Sequence, residues 1–339
     1  MHKHQVTILD IAHKLGISKS TVSRALTNNP NISRITKAAV LKVAREMDYQ
    51  PNLLALGLIK NKTYTLGIVI PDIQKPFFAA IVSGIQHTVS KFGYRVVITQ
   101  SNESPKVEEE NIKTLMLNRV DGLFICHTRD TVKFDHVKFL YQKGYPIVSF
   151  ARICQELPIP KVVEDDFNGL YRTTQHLIEN GKRRIAILAG PKQLLSSKLR
   201  LNGYKVALQQ YGLVYDKSLV ANIRFKPIDV EAIFDKWMKL SPPPDGICTV
   251  YDAGAIKLIQ LIKAKGLEIP KDIAVAGFGD DPAASIVEPG LTTFTQKPYE
   301  IGAIAGKYMF ELLNAENIEI RSEMKICRGQ LIVRKSTCI

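Results

Sequence analysis

Lys19, Ser20, Ser23 and Arg24 fall within six residues and, at helical spacing, share one outward face. A guanidinium can take guanine O6 and N7 as a bidentate pair, and hydroxyls can bond phosphates or bases, so this face could read DNA. The same pattern also suits an ordinary three-helix domain with solvated charges. Elsewhere the chemistry-bearing residues form no recognised catalytic pattern. G-x-x-x-x-G-K-[ST], H-E-x-x-H and G-x-S-x-G are absent, and no G-x-G-x-x-G opens a helix after a strand. The acidic doublets Asp165-Asp166 and Asp280-Asp281 stand at predicted strand ends. They could hold a metal or act as acid and base, but such pairs are more often caps and turn residues. Cys126, Cys154, Cys248, Cys327 and Cys338 lack C-x-x-C spacing, which argues against a zinc site or a disulfide framework and fits a reducing cytoplasm. No catalytic residue, metal or cofactor is expected.

The elements that would carry the first face are legible. Ile8, Ile11, Ala12 and Leu15 line one side of a helix that Thr7 can cap, with Asp10 in the capping-box position. Gly16 ends it, and Ser18 caps a second helix over Lys19–Leu26, with Val22, Ala25 and Leu26 inward. Helix, short turn with glycine, helix is the helix-turn-helix plan. A third helix is predicted over Thr36–Met47, capped near Ser33. After Tyr49-Gln50-Pro51-Asn52 comes a short apolar segment, Leu53–Ile59, followed by Lys60-Asn61-Lys62. It is too short to be a stable isolated helix, and Gly57 weakens it further. Its leucines need a partner: a second copy of the chain, a DNA minor groove, or the core as a buried linker.

Charge supports the first face. Residues 1–62 carry ten Lys or Arg against three acids, so half of the chain's net +14 sits in its first fifth. A basic end segment suits either polyanion binding or a solubilising surface. With 339 residues, two or three domains are expected. No run of 18 apolar residues implies a membrane span, and the start of the chain lacks the apolar run of a secretory signal.

From Leu66 onward, short apolar runs alternate with amphipathic stretches. Strands are predicted at 67–70, 95–98, 122–125, 146–149, 185–188, 246–250 and 273–276, with helices at 78–92, 107–117, 170–180 and 198–211. Trp237 and Met238 fit the core side of a further helix before Ser241-Pro242-Pro243-Pro244. Such alternation means parallel sheets with helices on both faces, and two rounds of it mean two doubly wound lobes. A cleft at the carboxyl ends of their strands is the usual ligand site. A sugar-binding transport protein and a sugar-metabolising α/β enzyme with an accessory head compete with a DNA-binding regulator. The basic head argues against the first and the missing catalytic motifs against the second.

The chain resembles bacterial regulators of the LacI/GalR family. The likeness runs through Val6-Thr7-Ile8, Ser18–Leu26, Tyr49–Asn52, Gly67–Asp72 with Pro76-Phe77-Phe78, and Arg119–Leu123. It continues through His176-Leu177-Ile178, Gly181–Ala186, Ala276-Gly277-Phe278, Leu291-Thr292-Thr293 and Gln296-Lys297-Pro298. The family is one of effector-controlled repressors that bind roughly palindromic operators as dimers. The resemblance implies that Lys19, Ser20 and Arg24 read bases in the major groove. It implies that Thr7, Ser18, Thr21, Ser23, Thr36, Tyr49 and Asn52 hold phosphates or the register, and that Leu58 is a minor-groove wedge. It assigns residues 1–49 to the head, 50–63 to the hinge, 64–164 with 294–325 to one lobe of a periplasmic-binding-protein-like core, and 165–293 with 326–339 to the other. Effector contacts would come from Asp72, Phe77, Phe78, Asn168, Arg200, Phe225, Asp252 and Gln296.

Four positions depart from the family pattern. Gly279 stands where an Asp usually binds ligand hydroxyls, Tyr251 replaces an Asn, Thr27 an Asn of the head, and Leu56 a hinge Arg. Gly279, which removes that acceptor, implies a larger, more positive pocket. Phe78 and Phe225 would then sandwich a ring, and Arg200 would donate to hydroxyls or a carboxylate, which points to an oligosaccharide, a uronic acid or a sugar phosphate. The alternative is that Asp280 or Asp281 swings in and restores monosaccharide binding.

Overall fold

The computed structural model describes residues 6–50, 62–223, 228–314 and 322–338. The chain divides into two compact units, Met1–Thr63 and Tyr64–Ile339.

The first unit is a three-helix head: α1 (Ile8–Leu15), α2 (Lys19–Leu26) and α3 (Arg34–Glu46). Each helix starts where a side chain can satisfy the backbone N–H groups left over in a first turn. The Asp10 carboxylate accepts from the Thr7 N–H at 2.7 Å. The Ser18 and Ser33 hydroxyls accept from the N–H groups of Thr21 and Thr36, each at 3.1 Å. Gly16 ends α1 at φ +65°, a conformation that costs glycine little, and so turns the chain sharply into α2. Ile11, Val22 and Val40, one from each helix, are fully buried at the centre. The third helix begins two residues before the predicted Thr36, because the Ser33 cap rather than the apolar pattern sets its start.

The second unit holds two six-stranded sheets. The first combines β1 (Thr65–Ile70), β2 (Arg95–Gln100), β3 (Gly122–Ile125), β4 (Ile147–Phe150), β5 (Lys161–Glu164) and, from far along the chain, β11 (Met324–Cys327). Helices α4 (Pro76–Ser90), α5 (Pro105–Leu117) and α6 (Asp135–Gln142) connect its early strands. The second sheet combines β6 (Ile185–Ala189), β7 (Val220–Asn222), β8 (Gly246–Thr249), β9 (Ala274–Gly279), β10 (Thr292–Thr295) and β12 (Leu331–Ile332). Between its strands and around it run α7 (Asp166–Glu179), α8 (Leu195–Gln210), α9 (Ile228–Met238), α10 (Asp252–Ala264), α11 (Ala283–Ile286) and α12 (Pro298–Asn314).

Strand order is β11-β5-β4-β3-β1-β2 in one sheet and β12-β10-β9-β8-β6-β7 in the other. The two lobes thus repeat one doubly wound plan, parallel throughout except for β12, which runs antiparallel to β10. Near-continuous apolar strands follow from this, since helices cover both faces: every residue of β3, β4, β6 and β8 is buried.

The chain crosses between lobes three times, and two crossings fall later than the sequence boundaries. The β9–β10 ladder extends to Thr295, opposite Gly279, so residues 294 and 295 belong to the second sheet rather than the first. The β5–β11 ladder extends to Cys327, opposite Glu164, so residues 326 and 327 stay in the first. Between these two crossings α12 packs along α4 on the first lobe, with Ile301, Ala305 and Met309 entering that lobe's core. Among the described residues, no helix is long and apolar enough to cross a membrane.

Candidate functional site

The head presents a basic face built on helix N-termini. Lys19, Ser20 and Arg24 are exposed on α2, and Ser23 is half-buried beside them. Among the described residues neither cation is drawn into an ion pair, whereas Lys14 is held by Glu46 at 3.2 Å. The Ser18 hydroxyl lies 2.8 Å from both the Ser20 and the Thr21 hydroxyls, which gathers three hydroxyls at the first turn of α2. Ser33 and Thr36 pair in the same way at 2.8 Å on α3. Neither helix has an acid in its first turn. Exposed N–H groups, hydroxyls and the positive end of the helix dipole make such a turn a natural seat for a phosphate. Thr7 caps α1 and is exposed, and Tyr49 is half-buried against the head's core, where burial raises its phenol pKa. Asn52 and Leu58 lie outside the described residues.

In the second unit a cavity of about 530 Å³ opens between the carboxyl ends of the two sheets' strands. Of the residues expected there, Phe77, Phe78, Arg200, Asp252, Gly279 and Gln296 line it. Asp72 and Asn168 do not. The Asp72 carboxylate instead accepts from the Gln74 N–H at 3.0 Å in the turn before α4, and the Asn168 amide donates to Asp165 at 2.9 Å on the exposed start of α7. Phe225 lies outside the described residues, so the expected sandwich has one described partner. That partner, Phe78, is buried in the core, with the Arg152 guanidinium 5.5 Å from its ring centre.

Arg200 does not make the cleft positive. Its Nε donates to Asp166 at 2.7 Å, one Nη donates to Glu164 at 2.7 Å and the other to the Val250 carbonyl at 2.8 Å. Three of its five N–H groups are used, and its plane rests on Phe278 at 3.9 Å. Two carboxyl groups held against one guanidinium leave this buried wall with no positive charge to offer. Burial raises the Glu164 carboxyl pKa, and the neighbouring Asp166 raises it further, with Arg200 opposing both.

The acidic doublets resolve into structural roles. Asp165 accepts from Asn168, and Asp166 holds Arg200. Asp280 pairs with Arg334 at 2.9 Å, and Asp281 accepts from the Ala283 N–H at 2.9 Å in the turn that leads into α11. Asp280 and Asp281 nevertheless both line the cavity beside Gly279. Asp252 lies next to them. Its Oδ1 accepts from the Thr293 hydroxyl at 2.7 Å and its Oδ2 from the Asp281 N–H at 2.7 Å. A side chain starting at 279 would come within 3.4 Å of this Oδ2 and 3.5 Å of the Gln296 Oε1. Space is therefore available at 279, but the backbone is not suited to use it: φ is +139°, which side-chain-bearing residues rarely adopt. Glycine here serves the turn after β9.

Comparison with known proteins agrees with this anatomy. Residues 7–52 match the family model of bacterial regulatory proteins of the lacI family. Residues 63–329 match the model of periplasmic binding proteins and the sugar-binding domain of the LacI family. The chain belongs to the LacI family.

Like other members of this DNA-binding regulatory family, it is similar to full-length relatives from end to end. It is 30% identical over 331 residues to the HTH-type transcriptional repressor CytR of Escherichia coli strain K12, covering 98% of this chain and 96% of the relative. The transcriptional regulator CelR in complex with cellobiose shares 27% identity, with a TM-score of 0.72 over 98% of this chain and 99% of that one. The lac repressor dimer bound to operator and the anti-inducer ONPF shares the fold, with a TM-score of 0.88 at 22% identity over 99% and 100% of the two chains.

Within this LacI-family cleft, Asp252 is a carboxyl that mild acid can protonate. Burial pushes its carboxyl up to about 6, the nearby acids Asp280 and Asp281 push the same way, and the Thr293 and Asp281 hydrogen bonds oppose them. Above that pH it is an acceptor-only carboxylate, and below it a proton occupies one oxygen. Affinity for a neutral hydroxyl-bearing effector is therefore expected to fall by up to about tenfold per pH unit below 6. Calorimetry across this range checks it: the Asp252→Asn protein should show a flat profile, and an equally flat profile in the unaltered protein would remove Asp252 from the contact set.

Proposed function

We propose that this protein is a transcriptional repressor that binds a roughly palindromic operator as a homodimer and is controlled by a neutral, hydroxyl-rich effector held between its two core lobes. The observation that carries the reading is the head. Among the described residues Lys19 and Arg24 stand unpaired on the outward face of α2, and hydroxyl clusters mark the acid-free first turns of α2 and α3. Lys19, Ser20 and Arg24 are the base readers. Thr7, Ser18, Thr21, Ser23, Thr36 and Tyr49 fix phosphates and register, with Asn52 and the Leu58 wedge completing the contact from the hinge. Such a protein works where DNA is, in the cytoplasm.

The effector class follows from the walls of the cavity. Asp252 and Gln296 offer acceptors beside Gly279, Phe77 offers a ring, and the charge of Arg200 is already cancelled. This favours a neutral sugar or nucleoside over a uronic acid or a sugar phosphate, and binding rather than catalysis. A regulator of the same family was solved with cellobiose, which supports a carbohydrate. Val97 and Ile98 on the edge strand β2 and Leu117 at the end of α5 remain exposed on the first lobe. An apolar edge of this kind suits a second copy of the chain. Effector binding that favours one arrangement of the lobes would then shift the population of DNA-competent dimers.

Arg24→Ala tests the head directly. Selection of bound DNA fragments, with and without candidate metabolites, first defines the operator. The variant is then expected to lose about 1–3 kcal/mol and to relax preference at one base position per half-site. Equal loss on every sequence would make Arg24 a phosphate contact and move base reading elsewhere.

A further inference from the structure

The first lobe holds a buried polar cluster that the cleft does not use. Glu108 on α5 is fully buried. Its Oε1 lies 2.9 Å from His127 Nδ1 and 3.1 Å from His136 Nε2. Its Oε2 accepts from the Thr128 N–H at 2.7 Å and the Thr131 hydroxyl at 3.0 Å. His127 follows β3 and is 2% exposed, while His136, at the start of α6, is partly open to solvent. The three donor atoms lie within 4.8 Å of one another. The other nitrogen of His127, Nε2, is buried with no hydrogen-bond partner. Burying an imidazole with one nitrogen unsatisfied is unfavourable, and an interaction strong enough to fix the ring through Nδ1 accounts for it.

We propose that Glu108, His127 and His136 form a binding site for a divalent cation of the zinc class. Two imidazole nitrogens and one carboxylate oxygen are a donor set that borderline cations favour, whereas calcium and magnesium require shells of oxygen. With bonds of about 2.0–2.1 Å, donors around a tetrahedral ion stand about 3.3 Å apart. The carboxylate is only a few tenths of an ångström closer than that to each ring nitrogen, and the three donor atoms lie within 4.8 Å of one another, so the ion enters where the hydrogen bonds now lie as the two rings draw together around it. Thr128 and Thr131 hold the second carboxylate oxygen and so aim the first, as outer contacts do around metal ligands. His136 supplies the way in. Nothing in the spacing of residues 108, 127 and 136 signals such a site, because the three meet only through α5, the end of β3 and α6.

The site also has a place in the cleft's architecture. The His127 N–H donates to the Arg152 carbonyl at 3.1 Å, and Arg152 lines the cavity. Three residues on, the Asp130 carboxylate accepts from the Gln193 amide at 3.0 Å, and Gln193 belongs to the second lobe. A cation on His127 therefore braces the segment 127–131 that joins the cleft wall to the opposite lobe.

The test uses metal-free full chain carrying His2→Ala and His4→Ala, which removes the N-terminal histidines as competing ligands. Equilibrium dialysis against zinc is expected to give one ion per chain, and zinc should raise the thermal unfolding midpoint. Loss of an outer contact alone costs about 10–100-fold in affinity, so His136→Ala should cost at least that and abolish the zinc-dependent rise. Without zinc its midpoint should lie somewhat below that of the parent, because Glu108 loses one hydrogen-bond partner, and zinc should not shift it. Should His136→Ala not fold, His136→Gln carries the same expectation. Absence of stoichiometric zinc, or binding and stabilisation that both His136 substitutions leave intact, would overturn the site.

Discussion

Raising salt from about 50 to about 200 mM is expected to weaken operator binding by the full chain about 10³–10⁵-fold. Each phosphate neutralised by a lysine or arginine releases condensed counterions, and about 6–10 such contacts give a loss of this size. The chain has the means. Its first 62 residues hold ten Lys or Arg against three acids, and of those acids Glu46 pairs with Lys14 while Asp10 is turned back onto the Thr7 N–H. Neither acid therefore opposes Lys19 and Arg24 on α2. A dimer presents two such heads. Titration of labelled operator at several salt concentrations measures the slope, and parallel titration of unrelated DNA separates it from base reading. A flat affinity would show that the head's charge only solubilises it, and would return the first unit to an ordinary three-helix domain.

The head was legible in the sequence because its determinants are local. A capping residue, the apolar positions of a single turn and the glycine that ends it all lie within about four residues of one another. Thr7, Gly16, Ser18 and Ser33 act where the sequence places them. Strands such as 122–125 and 185–189 were legible for another reason: helices on both sides leave no exposed face, so the run is apolar throughout. Other elements carried no such mark. Three of the four residues of β11 are exposed. Three threonines make up most of β10, whose buried hydroxyls are satisfied by partners such as Asp252 and Thr337. Helix α10 opens with Asp-Ala-Gly-Ala, a weak helical start that follows a strand directly.

The cleft was legible as a place but not as a charge distribution. Phe77, Phe78, Asp252 and Gln296 meet there as the family resemblance implies. What the sequence could not display is pairing between distant positions. Arg200 reads as a free donor until Glu164 and Asp166, more than thirty residues upstream, are seen to hold it. Gly279 reads as a missing carboxylate until its φ of +139° shows that the turn itself requires glycine. The pairing of Arg200 supports the proposed neutral effector over an acidic one.

Arg200→Ala is accordingly expected to act on folding before it acts on the effector. The guanidinium is the cation that offsets two buried carboxylates, and removing one partner of a buried ion pair costs about 3–5 kcal/mol, because the other is left charged and unpaired. The pH dependence gives the effect a signature. Burial already raises both carboxyl pKa values against the pull of Arg200, and without it they rise further. A carboxyl raised in the folded state binds protons more tightly there than in the unfolded chain. Its stabilising effect is full below the unfolded pKa and is lost as pH climbs through the folded value. The deficit of Arg200→Ala should therefore be small in mild acid and grow toward neutral pH and above. A triple variant, Glu164→Gln, Asp166→Asn and Arg200→Met, removes all three charges together and should recover most of the loss. Urea unfolding of the full chain at several pH values measures each step. If Arg200→Ala unfolds like the unaltered protein at every pH but no longer responds to effector, the guanidinium contributes its free N–H groups to the ligand rather than its charge to the fold. The cleft would then regain the positive character that its pairing with Glu164 and Asp166 removes.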